Sequence, residues 1–287
     1  MFSVSPLTNT LIRVIVTAAQ KLGYVKLSPR NFSTFGVLGP FDGNIVGGML
    51  LGTGMLLSGA CPGTVLAQIG VGVRSGYYAF EGATIAGIVW SGFLRKFVRC
   101  ERPADDKPKT AAYESLGVSR STLLLAFETA CIFGVAAAYS LTTLGPEAKL
   151  SPIAGGFFIA AAQLLSILLR KSLMGTSTSY EEVGDWFWGI LKGNLPQRYS
   201  TSLYCTGMVG GAWLLSRMYP ALAQVTDVEI SPLAAGMGGF LMALGSRLAG
   251  GCTSGHGISG MSLLSTSSFL TIGTAFAWGS LLGLVLG

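Results

Sequence analysis

The chain has 287 residues, of which 50% are hydrophobic and only 11% are charged. A soluble domain carries about 25% charged residues, so this composition excludes an ordinary soluble enzyme or binding module. The net charge of +6 comes from 19 basic and 13 acidic residues, and the basic ones lie between apolar stretches rather than on a basic, aromatic surface, which argues against nucleic-acid binding. We therefore interpret the chain as an integral, polytopic helical membrane protein. Its 41 glycines fit this class, because small residues let membrane helices pack closely.

Apolar stretches of the length that crosses roughly 30 Å of hydrocarbon recur along the chain. The first, at 8–25, is weaker and amphipathic, because Arg13 and Lys21 interrupt it. The clear candidates are 77–97, 120–143, 151–170, 199–222, 230–250 and 267–287. The predicted fold class is an all-α polytopic membrane protein with about 8–9 transmembrane helices and additional short re-entrant helices.

The stretch 43–73 contains no charged residue, but it is too long for one straight span and too short for two spans and a loop. Gly59, Pro62 and Gly63 interrupt it, and a helix would stop there. We predict one span at about 44–59, followed by a re-entrant helix at 60–75.

A second unusual stretch, 248–266, is rich in Gly, Ser and Thr and has no Asp, Glu, Lys or Arg. Non-helical backbone at membrane depth persists only inside protein or beside a watery cavity. We therefore predict a second re-entrant segment at 252–266. A third stretch, 172–197, is predicted to form a short helix at the membrane surface or partly within the bundle, with Thr178 or Ser179 as its N-cap.

The hydrophilic segment 98–119 is rich in Lys and Arg, which places it in the cytoplasm by the positive-inside rule. We expect a single membrane domain over 1–287. Its parts are a first repeat half at 8–97, the cytoplasmic loop at 98–119, a connecting helix at 120–145 and a second repeat half at 151–287.

An internal repeat becomes visible when Cys61 is aligned with Cys252. The aligned glycine pairs are Gly47 with Gly238, Gly48 with Gly239, Gly54 with Gly245 and Gly59 with Gly250. Duplicated membrane halves with broken helices at matched positions indicate a transporter's binding site. Counting spans outward from the cytoplasmic loop puts the two cysteine segments on opposite faces, which predicts a pseudo-twofold, inverted repeat.

Two segments around these cysteines, GMLLSGACPGT and GSRLAGGCTSGHGISG, resemble the signature segments of the sulphur-transport (YeeE/YedE-type) family. The string LLSILLRKSLMGTSTSYEEVG is similar to a third. The resemblance covers most of the chain and implies a pseudo-twofold helical bundle, pinched at the middle, that passes thiosulfate inward. It also implies that Cys61 and Cys252 hand the anion along by S–H hydrogen bonds. Family members carry a third cysteine on this path, and no motif-matched third position is present here.

The chemistry of these residues fits a site that binds an anion briefly. A dianion held tightly by a fixed cation would not leave, whereas neutral thiols are weak donors, and helix N-termini add N–H groups. The candidate substrate-path residues are Cys61, Cys252, Gly59, Pro62, Gly63, Gly250, Gly251, Gly255, His256 and Arg247, with Gln20, Gln163 and Thr178 as candidate supporting residues. Cys131 and Cys205 are interpreted as packing residues and Cys100 as incidental. With a single histidine, no metal cluster and no phosphate loop, we expect neither metal nor cofactor.

The leading functional prediction is a transporter, not an enzyme, that imports thiosulfate or a similar small sulphur anion across the plasma membrane. Two alternatives stay open at this point. One is a membrane sulphur-relay or redox enzyme that uses Cys61 and Cys252, and the other is a carrier of sulfite or a selenium species. The expected partners are the anion, the lipid bilayer and a small cytosolic sulphur-acceptor protein.

Overall fold

The computed structural model describes residues 5–25, 27–37, 39–98, 110–141, 152–194, 196–223 and 230–286. Every regular element in these ranges is helical, and the β contact within them is an isolated bridge between Ala111 and Ser265. The predicted all-helical fold is therefore confirmed.

The helices follow the apolar stretches closely. In chain order they are α1 (Ser5–Lys21), α2 (Asp42–Ser58), α3 (Pro62–Val71), α4 (Arg74–Gly92), α5 (Ala112–Leu116), α6 (Arg120–Leu141), α7 (Pro152–Arg170), α8 (Ser177–Leu191), α9 (Ser200–Met218), α10 (Pro220–Ala223), α11 (Pro232–Leu248) and α12 (Thr266–Leu286). A 3₁₀ turn, Leu94–Lys96, follows α4, and a π-helical segment, Ser254–Gly260, lies between α11 and α12.

Two stretches of the described chain, Asp42–Val71 and Thr266–Val285, are long and apolar enough to cross a membrane by length and composition. The first of them combines α2 with α3, on either side of the predicted break. The larger number of spans expected from the sequence stays a prediction. Within the predicted cytoplasmic loop at 98–119, residues 99–109, with Cys100, lie outside the described residues.

The chain divides into two compact units, each made of three segments. Unit 1 comprises Met1–Arg30, Pro103–Met174 and Gly255–Phe269, and unit 2 comprises Asn31–Arg102, Gly175–Ser254 and Leu270–Gly287.

Unit 1 is built around the packing of α1 on α7. Its buried apolar core consists of Ile12, Val16, Ala160 and Ile167. Arg13 of α1, which interrupts the apolar pattern, forms an ion pair of 2.8 Å with Glu128 of α6. The pairing compensates two charges that would be costly to leave alone in an apolar bundle.

Unit 2 is organised by the crossing of α2 and α11, where glycines allow the two backbones to touch. A Cβ atom on Gly47 would overlap the carbonyl oxygen of Gly245, and one on Gly54 would overlap that of Gly238. Position 47 faces 245 while 54 faces 238, so the two helices run in opposite directions through this contact. Close approach of this kind is how membrane helices gain packing energy without a hydrophobic driving force.

Candidate functional site

The first helix break has the residues and geometry expected from the sequence. Helix α2 ends at Ser58, and Gly59 adopts the left-handed conformation with φ of +64°. Cys61 is the N-cap of α3, which begins with Pro62. The Cys61 Sγ accepts a hydrogen bond from the backbone N–H of Thr64 at 3.4 Å and lies 3.0 Å from the Thr64 hydroxyl. The thiol therefore sits at the positive, N–H-rich end of a short helix.

The second break repeats this arrangement. Helix α11 ends at Leu248, and Gly250 is again left-handed, with φ of +79°. Cys252 follows, completely buried, with its Sγ 3.0 Å from the Ser254 hydroxyl. The buried Asn44 amide donates to the Ala249 carbonyl oxygen at 3.0 Å and so satisfies a carbonyl at the end of the helix.

Thr176, directly before α8, connects the second break with another thiol of unit 2. Its hydroxyl lies 3.5 Å from the Cys252 Sγ, and its carbonyl oxygen accepts a long contact of 3.9 Å from the Cys205 Sγ. A Cβ atom on Gly63, two residues after Cys61, would lie 3.9 Å from the Thr176 hydroxyl oxygen. The Thr176 side chain is thus placed between the two cysteine segments.

Tyr180, one turn into α8, lies among the same groups. It is 1% exposed, and its hydroxyl donates to the Pro62 carbonyl oxygen at 3.3 Å. Cys61 is bonded directly to Pro62, and Cys205 and Cys252 both contact Thr176, four residues before Tyr180. We call Cys61, Cys205, Cys252, Thr176 and Tyr180 the cysteine cluster.

A chain of ion pairs connects α8 with the end of α11 and with the 3₁₀ turn after α4. Arg247, at the end of α11, pairs with Glu181 of α8 and reaches the Thr178 hydroxyl at 3.4 Å. Glu181 also binds Arg95 at 3.1 Å, and Arg95 in turn binds Asp185 at 3.0 Å. Arg247, a candidate path residue from the sequence, therefore has an ion-pair partner in Glu181.

Four predicted residues belong to unit 1, where they form local polar contacts. His256 is completely buried, and its Nδ1 lies 2.8 Å from the Ser268 hydroxyl. The Gln163 Oε1 accepts from the Met174 N–H at 3.1 Å and from the Ser259 hydroxyl at 3.3 Å.

The other two predicted residues of unit 1, Gln20 and Gly255, both contact the segment that follows α1. The Gln20 amide donates to the Leu27 carbonyl oxygen at 2.6 Å, just beyond the end of α1. Gly255 lies under the Arg30 guanidinium, since a Cβ there would be 3.0 Å from its Nη2.

Sequence reasoning missed three members of the cluster. Thr176 and Tyr180 lie within the third quoted string, but nothing distinguishes Thr176 from its hydroxyl-bearing neighbours. Cys205 was interpreted as packing because it lies in mid-helix. The predicted cap of α8 was wrong: the helix starts at Ser177 after Thr176, and Ser179 lies inside it and donates to the Thr176 carbonyl oxygen at 2.6 Å.

The chemistry available in the cysteine cluster is that of weak hydrogen-bond donors, with the charged groups confined to the ion pairs of α8. Across the described ranges, no three His, Cys, Asp or Glu side chains come together as a metal site would require. Thiols, a threonine hydroxyl and helix N–H groups can each contact an anion without binding it tightly.

Comparison with known proteins finds relatives that are named as transporters. The chain is 24% identical to "Thiosulfate transporter TsuA" of Spirochaeta thermophila over 286 residues, which covers 94% of this chain and 83% of that protein. It is 31% identical over 132 residues to "Probable transporter" of Xylella fastidiosa strain 9a5c, covering 44% of this chain and 90% of the relative. A "Probable transporter" of the Temecula1 strain is 32% identical with the same coverage.

The family described as sulphur transport matches residues 7–282, which is nearly the whole chain. The family and these relatives are transporters, so the chain is a transport protein rather than an enzyme. The chain belongs to the sulphur transport family.

Proposed function

We propose that the chain imports thiosulfate, or a similar small sulphur-containing anion, across the plasma membrane by way of Cys61 and Cys252. The observation that carries the proposal is the matched placement of the two cysteines. Each follows a left-handed glycine, lies directly before a short helical segment and is buried. The name of the Spirochaeta thermophila relative supports thiosulfate as the substrate.

The cysteine cluster suits an anion that must both enter and leave. A substrate site in a conducting path has to be favourable enough to fill and weak enough to empty. Neutral thiols and a threonine hydroxyl meet this condition, and the N-terminus of α3 adds backbone N–H groups and a partial positive charge. Cys205 supplies a third thiol from outside the two signature segments, through its contact with Thr176.

The packing of α2 on α11 supports the inverted repeat. The alignment that places Cys61 on Cys252 exchanges Gly47 with Gly238 and Gly54 with Gly245. The contact of Gly47 with Gly245 is therefore the image of the contact of Gly54 with Gly238. Equivalent helices that cross antiparallel in this way fit a twofold axis in the membrane plane. Relatives that align with 44% of this chain also suit a protein made of two similar halves.

The test is uptake of radiolabelled thiosulfate into liposomes that contain only the purified protein. We expect wild type to accumulate intact thiosulfate and the C61A/C252A double variant to lose uptake. The C131A variant is the matched control, because Cys131 lies on α6 of unit 1 and should transport as wild type.

Each failure identifies a different part of the proposal. Uptake of labelled sulfite but not thiosulfate by wild type would mean that the substrate is assigned wrongly. Wild-type uptake by the double variant, at the same protein density, would contradict the role of the two cysteines.

A further inference from the structure

The ion pair between Arg247 and Glu181 leaves part of the arginine unused. Arg247 Nη2 contacts Glu181 and Nη1 reaches Thr178, while Nε is buried and has no hydrogen-bond partner in the described ranges. The Nε and Nη2 atoms form the edge of a guanidinium that binds two oxygens of one oxyanion side by side. In this structure the carboxylate of Glu181 occupies only half of that edge.

Glu181 pairs with a second cation, Arg95, which would still compensate its charge when Arg247 binds another anion. Arg95 binds the Glu181 carboxylate at 3.1 Å, and Arg95 is itself held by Asp185 at 3.0 Å. Arg247 and Glu181 are 15% and 13% exposed, so an unpaired charge at either would be costly. An incoming anion on Arg247, with Glu181 kept by Arg95, leaves both residues compensated.

The arginine and the cysteine cluster belong to the same compact unit. Arg247 is five residues before Cys252 on the same chain segment. Its partners Thr178 and Glu181 lie on α8, which also carries Tyr180 and begins directly after Thr176. An anion on the Arg247 edge would therefore be bound on the chain segment that leads directly to Cys252.

We propose that Arg247 is a substrate-anion subsite and that Glu181 is a built-in competitor for it. The incoming anion displaces Glu181 from Arg247, and the return of Glu181 releases the anion toward the cysteine cluster. The inference rests on the proposed function and specifies how its site keeps the affinity low. A fixed cation with no competing carboxylate would bind a dianion too tightly to pass it on.

The test compares E181Q with wild type in the liposome uptake assay. The amide keeps the shape of the side chain but removes the charge that competes for Arg247. In wild type, only the fraction of molecules whose Arg247 is not paired with Glu181 can bind the anion, and this lowers the apparent affinity. Because E181Q removes the competing charge, we expect the half-saturating thiosulfate concentration to fall about tenfold. The maximal rate should fall as well, since release is slowed. The E81Q variant is the control, because Glu81 is an exposed carboxylate of α4 in the same unit.

The outcomes separate this inference from the proposed function. No thiosulfate uptake by wild type would contradict the proposed function itself. Normal wild-type uptake with an unchanged or higher half-saturating concentration in folded E181Q, or an equal fall in E81Q, would overturn only the competitor role. If E181Q does not elute as folded protein, E181D serves instead: its shorter carboxylate should also lower the half-saturating concentration, and an unchanged value overturns the inference.

Discussion

Thr176 shows how much of the site depends on a single small polar side chain. Its hydroxyl contacts the Cys252 thiol, and its carbonyl oxygen accepts from the Ser179 hydroxyl and, at longer distance, from the Cys205 thiol. The residue is only 2% exposed. In such surroundings the Cys252 thiol is oriented by its hydrogen-bond partners, Thr176 and Ser254. The orientation of the Cys252 thiol therefore depends on a residue from a distant part of the chain, directly before α8.

Replacing Thr176 by valine tests this dependence, because the two side chains have nearly the same shape and only the hydroxyl is lost. We expect the initial rate of thiosulfate uptake to fall about fivefold, equivalent to roughly 1 kcal/mol for one hydrogen bond. The T206V variant is the control, since Thr206 is exposed and its hydroxyl donates to the Ser202 carbonyl oxygen of its own helix, α9. Wild-type uptake by T176V at equal protein density would show that the hydroxyl is not needed.

Which residues of the site could be predicted depends on how local their signal is. Cys61 and Cys252 are marked by glycines and a proline beside them in the sequence, so both breaks were predicted with the correct residues. Thr176 and Cys205 acquire their positions only through packing of α8 and α9, which no spacing in the sequence encodes. The α8 cap was predicted two or three residues late, because several consecutive hydroxyl side chains can each cap a helix.

At the scale of single elements, the helix breaks are set by backbone conformation. Gly59 and Gly250 both have positive φ values, which side chains with a Cβ adopt at a cost of roughly 1–2 kcal/mol. Each glycine ends its helix and turns the chain so that a cysteine follows within two residues. The lengths of the apolar stretches predicted the helices well, since only a helix satisfies the backbone of a long apolar segment in lipid.

Gly59→Ala should weaken the first break. The left-handed conformation alone costs roughly 1–2 kcal/mol, and the new Cβ would also lie 2.7 Å from the Ile230 Cδ1. We expect a lower thermal unfolding midpoint for the detergent-purified protein and reduced thiosulfate uptake, because Cys61 is two residues away. Gly207→Ala is the control: it lies inside α9 with open space at its Cβ, so its midpoint should not fall. Equal unfolding midpoints for wild type and G59A would show that the break does not require a glycine.

At the scale of the whole molecule, each compact unit is built from segments that are far apart in the sequence. Unit 2 combines Asn31–Arg102, which ends within the hydrophilic segment, with Gly175–Ser254 and Leu270–Gly287 from beyond it. The contacts between α2 and α11 and between α4 and α11 therefore join the two predicted halves, and glycines form both. This interleaving was not predictable from the order of helices, because the sequence shows which segments resemble each other but not which ones pack together.

The last prediction follows from this interleaving. Expressing residues 1–105 and 106–287 as separate pieces cuts the chain within the hydrophilic segment and leaves every helix of the described ranges whole. We expect the pieces to copurify and to restore thiosulfate uptake together, because the glycine contacts of α2 with α11 bring backbones close enough to associate without a covalent link. Neither piece alone should transport, since Cys61 and Cys252 are then separated. A cut between Ala83 and Thr84, inside α4, is the control and should abolish uptake. Transport by one piece alone would refute a site shared by both halves, and failure of the first pair to associate would show that these contacts do not hold the halves together.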